Sequence, residues 1–371
     1  MRAGIITFHR ANNIGAVLQA YALLKYIGDS GYDCELIDYY PNNAIPGRFH
    51  RIRNTAHKIK FILKGEHGKT KLEKEKSFSQ FRKKYFCVSK KHYYGDDEIW
   101  AEPPKYDIFI SGSDQILNTT LTGCSKAYYL GFVNSGKKVS YASSFGREEI
   151  SKDEKELIKN EISTFDKVSA REVSGQALIS EYSRQQTMLV VDPVFLLDRS
   201  VWESVCNEKI KTPDKYIFVY SMENSDALEK TVKIVRRKCR LPVIVVRGGG
   251  QSGRIDGKED FSCGPTEFLR YIRDAEYVIT NSFHGTAFSM IFNKKLFCVA
   301  HSSRNTRLEN LLAIVGLGGK QIDDGTDTKV LENCMINYNI ISHLMPYIKE
   351  SKEYLNESLA TLNKNNSCII E

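Results

Sequence analysis

The stretch Tyr277-Val278-Ile279-Thr280-Asn281-Ser282-Phe283-His284-Gly285-Thr286-Ala287 begins as a short apolar run and ends in small polar residues. Its apolar part predicts a buried strand, and the residues that follow, 288–292, have helical spacing. His284 is therefore predicted at the point where a strand ends and a helix begins. In an open α/β sheet, this point is the carboxyl end of a strand, which is where ligands bind.

A helix that begins near Ser282 presents free backbone N–H groups to an anion. Together with the His284 imidazole, Gly285 and the Thr286 hydroxyl, this helix start predicts a phosphate or carboxylate site. The alternative is that His284 is a hydrogen-bonded core residue and that Gly285 only allows helix and strand to pack closely. This stretch by itself supports the two interpretations equally.

The whole chain has the size and composition of a folded globular protein. Its 371 residues are enough for two domains, and 42% of them are hydrophobic and 26% are charged. Residues 1–7 resemble the start of a strand rather than a signal peptide, and no apolar run approaches the roughly 20 residues of a membrane span. We therefore expect a cytoplasmic protein.

The cysteines indicate the redox environment. All nine are scattered along the chain, and none forms a C-x-x-C pair. Reduced thiols in a cytosolic protein are the simplest explanation. The sequence therefore predicts neither disulfides nor a zinc site, and we expect no bound metal.

The positive charge is concentrated in one segment. The chain has a net charge of +8, but residues 48–91 contain 15 Lys and Arg against 3 Asp and Glu. Apolar residues at helical spacing within 49–63 predict an amphipathic helix. Such a helix either has a solvated basic face or lies on an anionic membrane, here the inner face of the cell membrane. We favour the solvated face, and we expect no nucleic acid because no binding motif accompanies the charge.

The first part of the chain predicts a doubly wound α/β unit. A strand at 4–8 is followed by a polar turn, a helix over 16–24 and a second strand at 34–39. The turn around Gly15 is not G-x-G-x-x-G, so the dinucleotide fingerprint is absent.

A second series of strands and helices begins after Pro193, which ends a predicted strand. We therefore predict an N-terminal Rossmann-like domain over 1–192 and a C-terminal one over 193–345. A C-terminal helix and tail follow over 346–371. Two such α/β domains would face each other across a central cleft.

Two further turns place chemically active residues at strand ends. Asp114 follows a strand at 106–110 and is predicted either to cap a helix or to hold sugar hydroxyls. Arg171 stands at a helix start, which is unfavourable for the helix dipole. An anion that shares the site would explain this position, and a surface salt bridge is the alternative.

The ordered set of turns resembles the polysaccharide pyruvyl transferase family. The matching pieces are residues 12–23, Ser111–Gln115, Ser169–Glu172, Asp192-Pro193 and Thr280–Thr286. The resemblance implies two Rossmann-like domains in a GT-B-like arrangement. It also implies phosphoenolpyruvate as a co-substrate that donates its enolpyruvyl group, a sugar or lipid-linked saccharide as acceptor, and a pyruvate ketal as product. No other cofactor is expected.

The resemblance also suggests site residues. His284 matches the family's donor-site histidine, and Arg171 matches an arginine that binds the donor's anionic groups. Some members have Arg-Leu-His where this chain has Ser282-Phe283-His284, so a cation must come from elsewhere, and Arg304 and Arg307 are the candidates. Many members also have an aromatic residue soon after the Asp-Gln pair, where this chain has 116–118.

The chemistry of such a donor assigns roles to these residues. His284 is predicted to give and take protons, because an imidazole titrates near neutral pH. Asp114 is predicted to orient or deprotonate the acceptor. The full prediction places Arg171, Ser282, Gly285, Thr286, Arg304 and Arg307 at the donor, and His9, Asn13, Gly15, Gln19 and Gln115 at the acceptor. A structural role is the alternative for His9.

Two rival functions fit the same sequence. The first is a GT-B glycosyltransferase that uses a nucleotide sugar, because helix N-termini also bind a diphosphate. The second is a non-catalytic sugar-binding subunit of a polysaccharide assembly complex, which the departure at Ser282 leaves open. A homo-oligomer is also open.

Overall fold

The structure is a computed structural model, and it describes residues 1–41, 66–248, 255–302, 306–327, 331–336 and 339–360. The predicted amphipathic pattern within 49–63 and the tail over 361–371 lie outside these residues, as does Arg304.

The first half of the chain forms a five-stranded parallel sheet. Its strands have the order β3-β2-β1-β4-β5 and span β1 Arg2–Ile6, β2 Asp33–Tyr40, β3 Val88–Tyr94, β4 Ile108–Ser111 and β5 Lys137–Ser140. Both faces of the central strands are covered, which is why Ala3–Ile6 and Ile108–Ser111 are buried without alternation. Two short strands, β6 Val168–Ala170 and β7 Thr187–Leu189, pair in parallel beside β5.

Helices of the first half connect these strands. They are α1 Ile14–Asp29, α2 Glu66–Tyr85, α3 Asp96–Ala101, α4 Thr119–Thr122, α5 Lys152–Asn160 and α6 Val173–Ser183, with 3₁₀ turns at Lys126–Tyr129 and Ile162–Thr164. Helix α1 begins at Ile14, two residues before the predicted start, because Asn13 accepts a hydrogen bond from the Ala16 N–H at 3.0 Å, a typical N-cap.

The second half repeats this topology. The strand order is β10-β9-β8-β11-β12, with β8 Ile217–Ser221, β9 Val243–Arg247, β10 Lys258–Glu259, β11 Tyr277–Thr280 and β12 Lys295–Cys298. The helices are α7 Arg199–Val205, α8 Asp226–Cys239, α9 Pro265–Asp274, α10 Phe283–Ile291, α11 Thr306–Ile314 and α12 Ile341–Leu359, with 3₁₀ turns at Pro193–Phe195 and Leu331–Cys334.

Each sheet has one point where the strand order reverses. In the first sheet this point lies between β1 and β4, and in the second it lies between β8 and β11. Loops that follow these four strands diverge there and leave a crevice, the usual ligand position of doubly wound sheets. The loops around these two crevices line one cleft.

The two halves share one hydrophobic core. Tyr21 of α1 and Phe78 of α2 lie in the same cluster of buried side chains as Trp202 of α7 and Phe288 of α10. The Tyr21 and Trp202 rings are 5.6 Å apart, and those of Trp202 and Phe288 are 4.8 Å apart, both edge to face. Such pairs add to the energy of area burial.

The last helix returns to the first half. Tyr354 of α12 donates to the carbonyl of Ser140 at 2.9 Å, and Ser351 accepts from the Val191 N–H at 2.9 Å. Leu355 and Leu359 are fully buried in the core behind the first sheet. The chain therefore crosses between the halves twice.

The basic segment 48–91 contains both a helix and a strand. Within its described part, helix α2 buries Phe78 and Phe81, and strand β3 forms an edge of the first sheet. The sequence did not predict β3, nor the short strands β7 and β10. Among the described residues, no helix is long and apolar enough to cross a membrane.

Candidate active site

A cleft lies where the carboxyl ends of the two sheets meet. From the first half it is lined by Asn13, Gly15, Asp114 and Gln115, and from the second by Tyr220, Met222, Asn281, Ser282, Phe283, His284, His301, Arg307 and Leu308. Most of these residues lie in loops or first helical turns that follow β1, β4, β8, β11 and β12.

Arg171 lies beside this cleft between β6 and α6, with its side chain only 2% exposed. Its Nη1 donates to Asp192, its Nη2 is 3.5 Å from Asp114 Oδ1, and its guanidinium lies 4.9 Å from the centre of the Phe283 ring. Burial alone would lower the pKa of Arg171, but Asp192, Asp114 and Glu172 raise it, so the charge is retained. Its Nε and Nη2 have no hydrogen-bond partner within the described part of the chain.

Asp192 is the carboxylate that links Arg171 to His284. It is fully buried, caps the 3₁₀ turn at Pro193–Phe195 and accepts from the Val194 N–H at 3.1 Å. Its Oδ2 lies 3.6 Å from His284 Nε2. Burial acts to raise the pKa of Asp192, but the His284 imidazole and the Arg171 guanidinium hold it below its usual range.

His284 stands in the first turn of α10, as the sequence predicted. Ser282 caps this helix by accepting from the Gly285 N–H at 3.4 Å. The imidazole packs so closely against α1 that a Cβ at Gly15 would lie 2.0 Å from Nδ1. The absence of a side chain at position 15 therefore lets the histidine of one half reach the helix of the other.

Asp114 projects between two arginines. Its Oδ1 is 3.5 Å from Arg171 Nη2 and 3.5 Å from Arg307 Nη1. Its φ of 75° is unusual for a residue with a side chain, and such backbone strain is concentrated at functional sites. Beside it, Gln115 accepts from Asn118 Nδ2 at 3.4 Å.

Arg307, one of the two candidates for the cation missing at Ser282, lies in the cleft lining. It reaches the cleft from α11, with its side chain 10% exposed, and its guanidinium lies 6.0 Å from the Phe283 ring. Phe283 thus contacts both Arg171 and Arg307 and holds two like charges side by side.

Four predicted residues are turned away from the cleft lining. His9 bonds the Thr7 carbonyl at 3.1 Å and Asp38 at 3.3 Å, so both ring nitrogens are used in the core. Gln19 donates to Thr7 Oγ1 and to the Ala16 carbonyl. Thr286 is buried with its hydroxyl 3.6 Å from Cys298 Sγ, because it lies on the core side of α10.

Gly285, the fourth of these residues, supports packing instead. Its N–H is used by the Ser282 cap, and a Cβ there would lie 2.4 Å from Thr280 Oγ1. Asn13, Gly15, Gln115 and Ser282 do line the cleft.

The sequence reasoning did not select His301 and Glu223. His301 follows β12, lines the cleft, and has its Nδ1 3.5 Å from Glu223 Oε1. Glu223 follows β8 and also accepts a hydrogen bond from the Ser302 hydroxyl at 2.7 Å. His301 and Glu223, like His284, are polar residues just beyond the carboxyl end of a strand. The same rule would therefore have selected them.

The described ranges contain no group of three or more His, Cys, Asp or Glu side chains that could hold a metal ion.

Comparison with solved structures identifies the architecture. The chain is similar to the S. aureus MnaA–UDP co-structure, with a TM-score of 0.50, 12% identity, and 95% of this chain and 91% of that chain covered. It is also similar to a UDP-GlcNAc 2-epimerase from Neisseria meningitidis bound to UDP-GlcNAc, with a TM-score of 0.49, 10% identity and coverage of 96% and 94%. The first likeness supports the fold, and the expectation of a GT-B-like pair of Rossmann-like units is confirmed.

Sequence comparison identifies the family. No curated protein sequence matches the chain significantly. The sequence profile of the polysaccharide pyruvyl transferases matches residues 13–303, a range that includes the N-terminus of α1, Asp114, Arg171, Asp192 and His284. The chain therefore belongs to the polysaccharide pyruvyl transferase family and is a transferase.

Proposed function

We propose that the protein transfers the enolpyruvyl group of phosphoenolpyruvate to a sugar of a surface-polysaccharide precursor, forms a pyruvate ketal and releases phosphate. The observation that carries the proposal is the buried Arg171, which keeps its charge, is linked through Asp192 to the His284 imidazole, and has two nitrogens without hydrogen bonds to the described residues. A buried guanidinium with free donors is suited to a phosphate or carboxylate.

The donor would be held by charges from both halves of the cleft. Phosphoenolpyruvate has a phosphate and a carboxylate, and Arg171 and Arg307 present two guanidinium groups around Phe283. The N-termini of α1 and α10 add backbone N–H groups and positive dipole ends. These fixed donors would stabilise charge as it develops without reorganisation of the site.

His284 would protonate the terminal carbon of the donor. Asp192 faces its Nε2 at 3.6 Å and orients the ring. Asp114, at the first-half wall of the cleft, would orient the attacking sugar hydroxyl. The acceptor is a sugar, free or lipid-linked, and no metal or further cofactor is needed for this chemistry.

The proposal is tested by replacing His284 and measuring phosphate release from phosphoenolpyruvate with a sugar acceptor. We expect His284→Ala and His284→Gln to lower turnover by about 100-fold or more, the usual contribution of general acid–base catalysis. His343→Gln, at an exposed histidine of α12, is the matched control. Turnover near the wild-type value in both His284 variants would remove this residue from the mechanism.

A nucleotide-sugar glycosyltransferase is the second candidate, because the similar S. aureus structure contains UDP. The same helix N-termini would accept a diphosphate. Thermal unfolding separates the two candidates: phosphoenolpyruvate should raise the midpoint, whereas stabilisation by UDP-sugars alone would favour the glycosyltransferase. Acceptor binding without any turnover would favour a non-catalytic subunit.

A further inference from the structure

The proposed reaction moves two protons, and groups in the cleft must accept and donate them. Two sugar hydroxyls each lose a proton when the ketal forms. One proton ends on the terminal carbon of the donor, which becomes a methyl group, and the other ends on the released phosphate. Two groups that each take one proton and give one would return to their starting state after every cycle.

The cleft contains two imidazoles, each beside a carboxylate. His284 faces Asp192 through Nε2 at 3.6 Å, and His301 faces Glu223 through Nδ1 at 3.5 Å. Their side chains are 10% and 12% exposed, so both are sheltered but open to the cleft. The two rings face their carboxylates through opposite nitrogens, His284 through Nε2 and His301 through Nδ1.

Glu223 is itself fixed in place. Ser302 donates to it through its backbone N–H and its hydroxyl, and Asn281 Nδ2 donates to the Glu223 carbonyl at 2.9 Å. Asn281 Oδ1 in turn accepts from the Met222 N–H at 2.8 Å. The Glu223 carboxylate is thus tied to the loop of His301 and its backbone to the loop of His284.

We propose that His301, oriented by Glu223, is a second catalytic acid–base residue of the pyruvyl transfer. This inference rests on the proposed function. Asp114 is less suited to carry this proton, because its Oδ1 faces the guanidinium groups of both Arg171 and Arg307 and anchors them.

Protons and electron pairs balance in each step of the proposed reaction. The terminal carbon of phosphoenolpyruvate takes the proton of the His284 imidazolium with the π electrons of the double bond, which leaves its C2 cationic. The first hydroxyl oxygen bonds to C2 while its proton passes to His301. His301 returns this proton to the bridging oxygen as the C2–O bond breaks and phosphate leaves with the electron pair. The second hydroxyl oxygen then bonds to C2, and its proton restores His284.

This assignment predicts the pH dependence of kcat/KM. The active form has His284 protonated and His301 neutral, so the profile should be bell-shaped. Among the described residues, the other charged and titratable groups that line the cleft are Asp114, Tyr220 and Arg307; Glu223 faces His301, and Asp192 faces His284. The acidic limb should belong to His301 and the alkaline limb to His284.

The test measures phosphate release from phosphoenolpyruvate across pH for wild type, His301→Gln, Glu223→Gln and the exposed-site control His343→Gln. We expect His301→Gln to lose the acidic limb and about 100-fold or more in kcat. Glu223→Gln should move the acidic limb to lower pH with a smaller loss in kcat. Circular dichroism and thermal unfolding of each variant check that it is folded.

The outcomes separate this inference from the proposed function. A wild-type enzyme that releases no phosphate with any acceptor contradicts the proposed function. An active wild type whose His301→Gln variant keeps kcat within twofold, or keeps both limbs, overturns the role of His301.

NMR titration of the histidine Cε1–H signals provides a readout that needs no substrate. The His301 signal is assigned by its loss in His301→Gln. Its titration midpoint should fall in Glu223→Gln, because a neighbouring carboxylate favours the imidazolium. An unchanged midpoint would overturn the Glu223–His301 pair whatever the substrate is.

Discussion

Gly15 and His284 touch across the boundary between the two halves, and a Cβ at position 15 would lie 2.0 Å from the imidazole Nδ1. Real Cβ atoms do not approach other atoms so closely, so Gly15→Ala must displace the ring or the start of α1. We expect about 10²-fold lower turnover, because a shift of about 1 Å in a catalytic group has effects of this size. Gly28→Ala is the control, since no atom of the described residues lies within 4 Å of its added Cβ. Equal activity of the two variants would contradict the contact.

Arg171 should not be replaceable by lysine. Its guanidinium contacts Asp192 and Asp114 at once and stacks on Phe283, whereas an ammonium is a point charge that lacks the planar fork. We expect Arg171→Lys to raise the KM for phosphoenolpyruvate at least tenfold, and Arg171→Ala to raise it further. Arg199→Lys, at an exposed pair with Glu203, is the control. An unchanged donor KM in Arg171→Ala would refute the anion-binding role.

Asp192 should make folding stability depend on pH. Because His284 and Arg171 hold its pKa below the ordinary value of 3.8 despite burial, the unfolded chain binds its proton more readily. The stability that it contributes is complete above pH 3.8 and is lost as pH falls towards the pKa of the folded state. Asp192→Asn should therefore cost about 3–5 kcal/mol at pH 6, as for other broken buried ion pairs, and less at pH 3.

Urea unfolding at the two pH values measures this difference. Asp29→Asn is the matched control, because Asp29 is 57% exposed and pairs with Lys25 at the surface. The same loss of stability in Asp192→Asn at pH 6 and pH 3 would show that its charge is not the cause.

The basic segment should not attach the protein to membranes through its described part. Helix α2 uses its apolar residues Phe78 and Phe81 inside the shared core, so no apolar face is left to insert between lipids. We expect equal flotation with neutral vesicles and with vesicles that contain anionic lipid. Binding only to the anionic vesicles, reduced by salt, would instead support membrane contact through 48–91.

The sequence predicted helices and strands better than it predicted which distant side chains contact each other. Strand β11 and helix α10 follow from an apolar run, a Ser cap and helical spacing, all of which are local. The sequence marked Asp192 as a domain boundary and as part of the family resemblance but gave it no role at the site, because its partners Arg171 and His284 lie 21 and 92 residues away in the chain.

Whether a side chain of a short helix or loop faces the cleft or the core was equally hard to predict. Thr286 belongs to the predicted motif but lies on the buried side of α10, where its hydroxyl contacts Cys298 of the neighbouring strand β12. His9 was predicted either to be structural or to bind the acceptor, and Asp38 from β2 holds it in the core. Such choices depend on contacts between distant segments, and one sequence alone does not contain them.

The shared aromatic core has a consequence for how the molecule comes apart. Because Tyr21 and Phe78 pack with Trp202 and Phe288, neither half can lose its structure without exposing the apolar surface of the other. Helix α12 adds a second tie, since its removal would open the core behind the first sheet. Calorimetry should therefore record one cooperative unfolding transition in place of two, and the cleft should persist until the whole fold is lost.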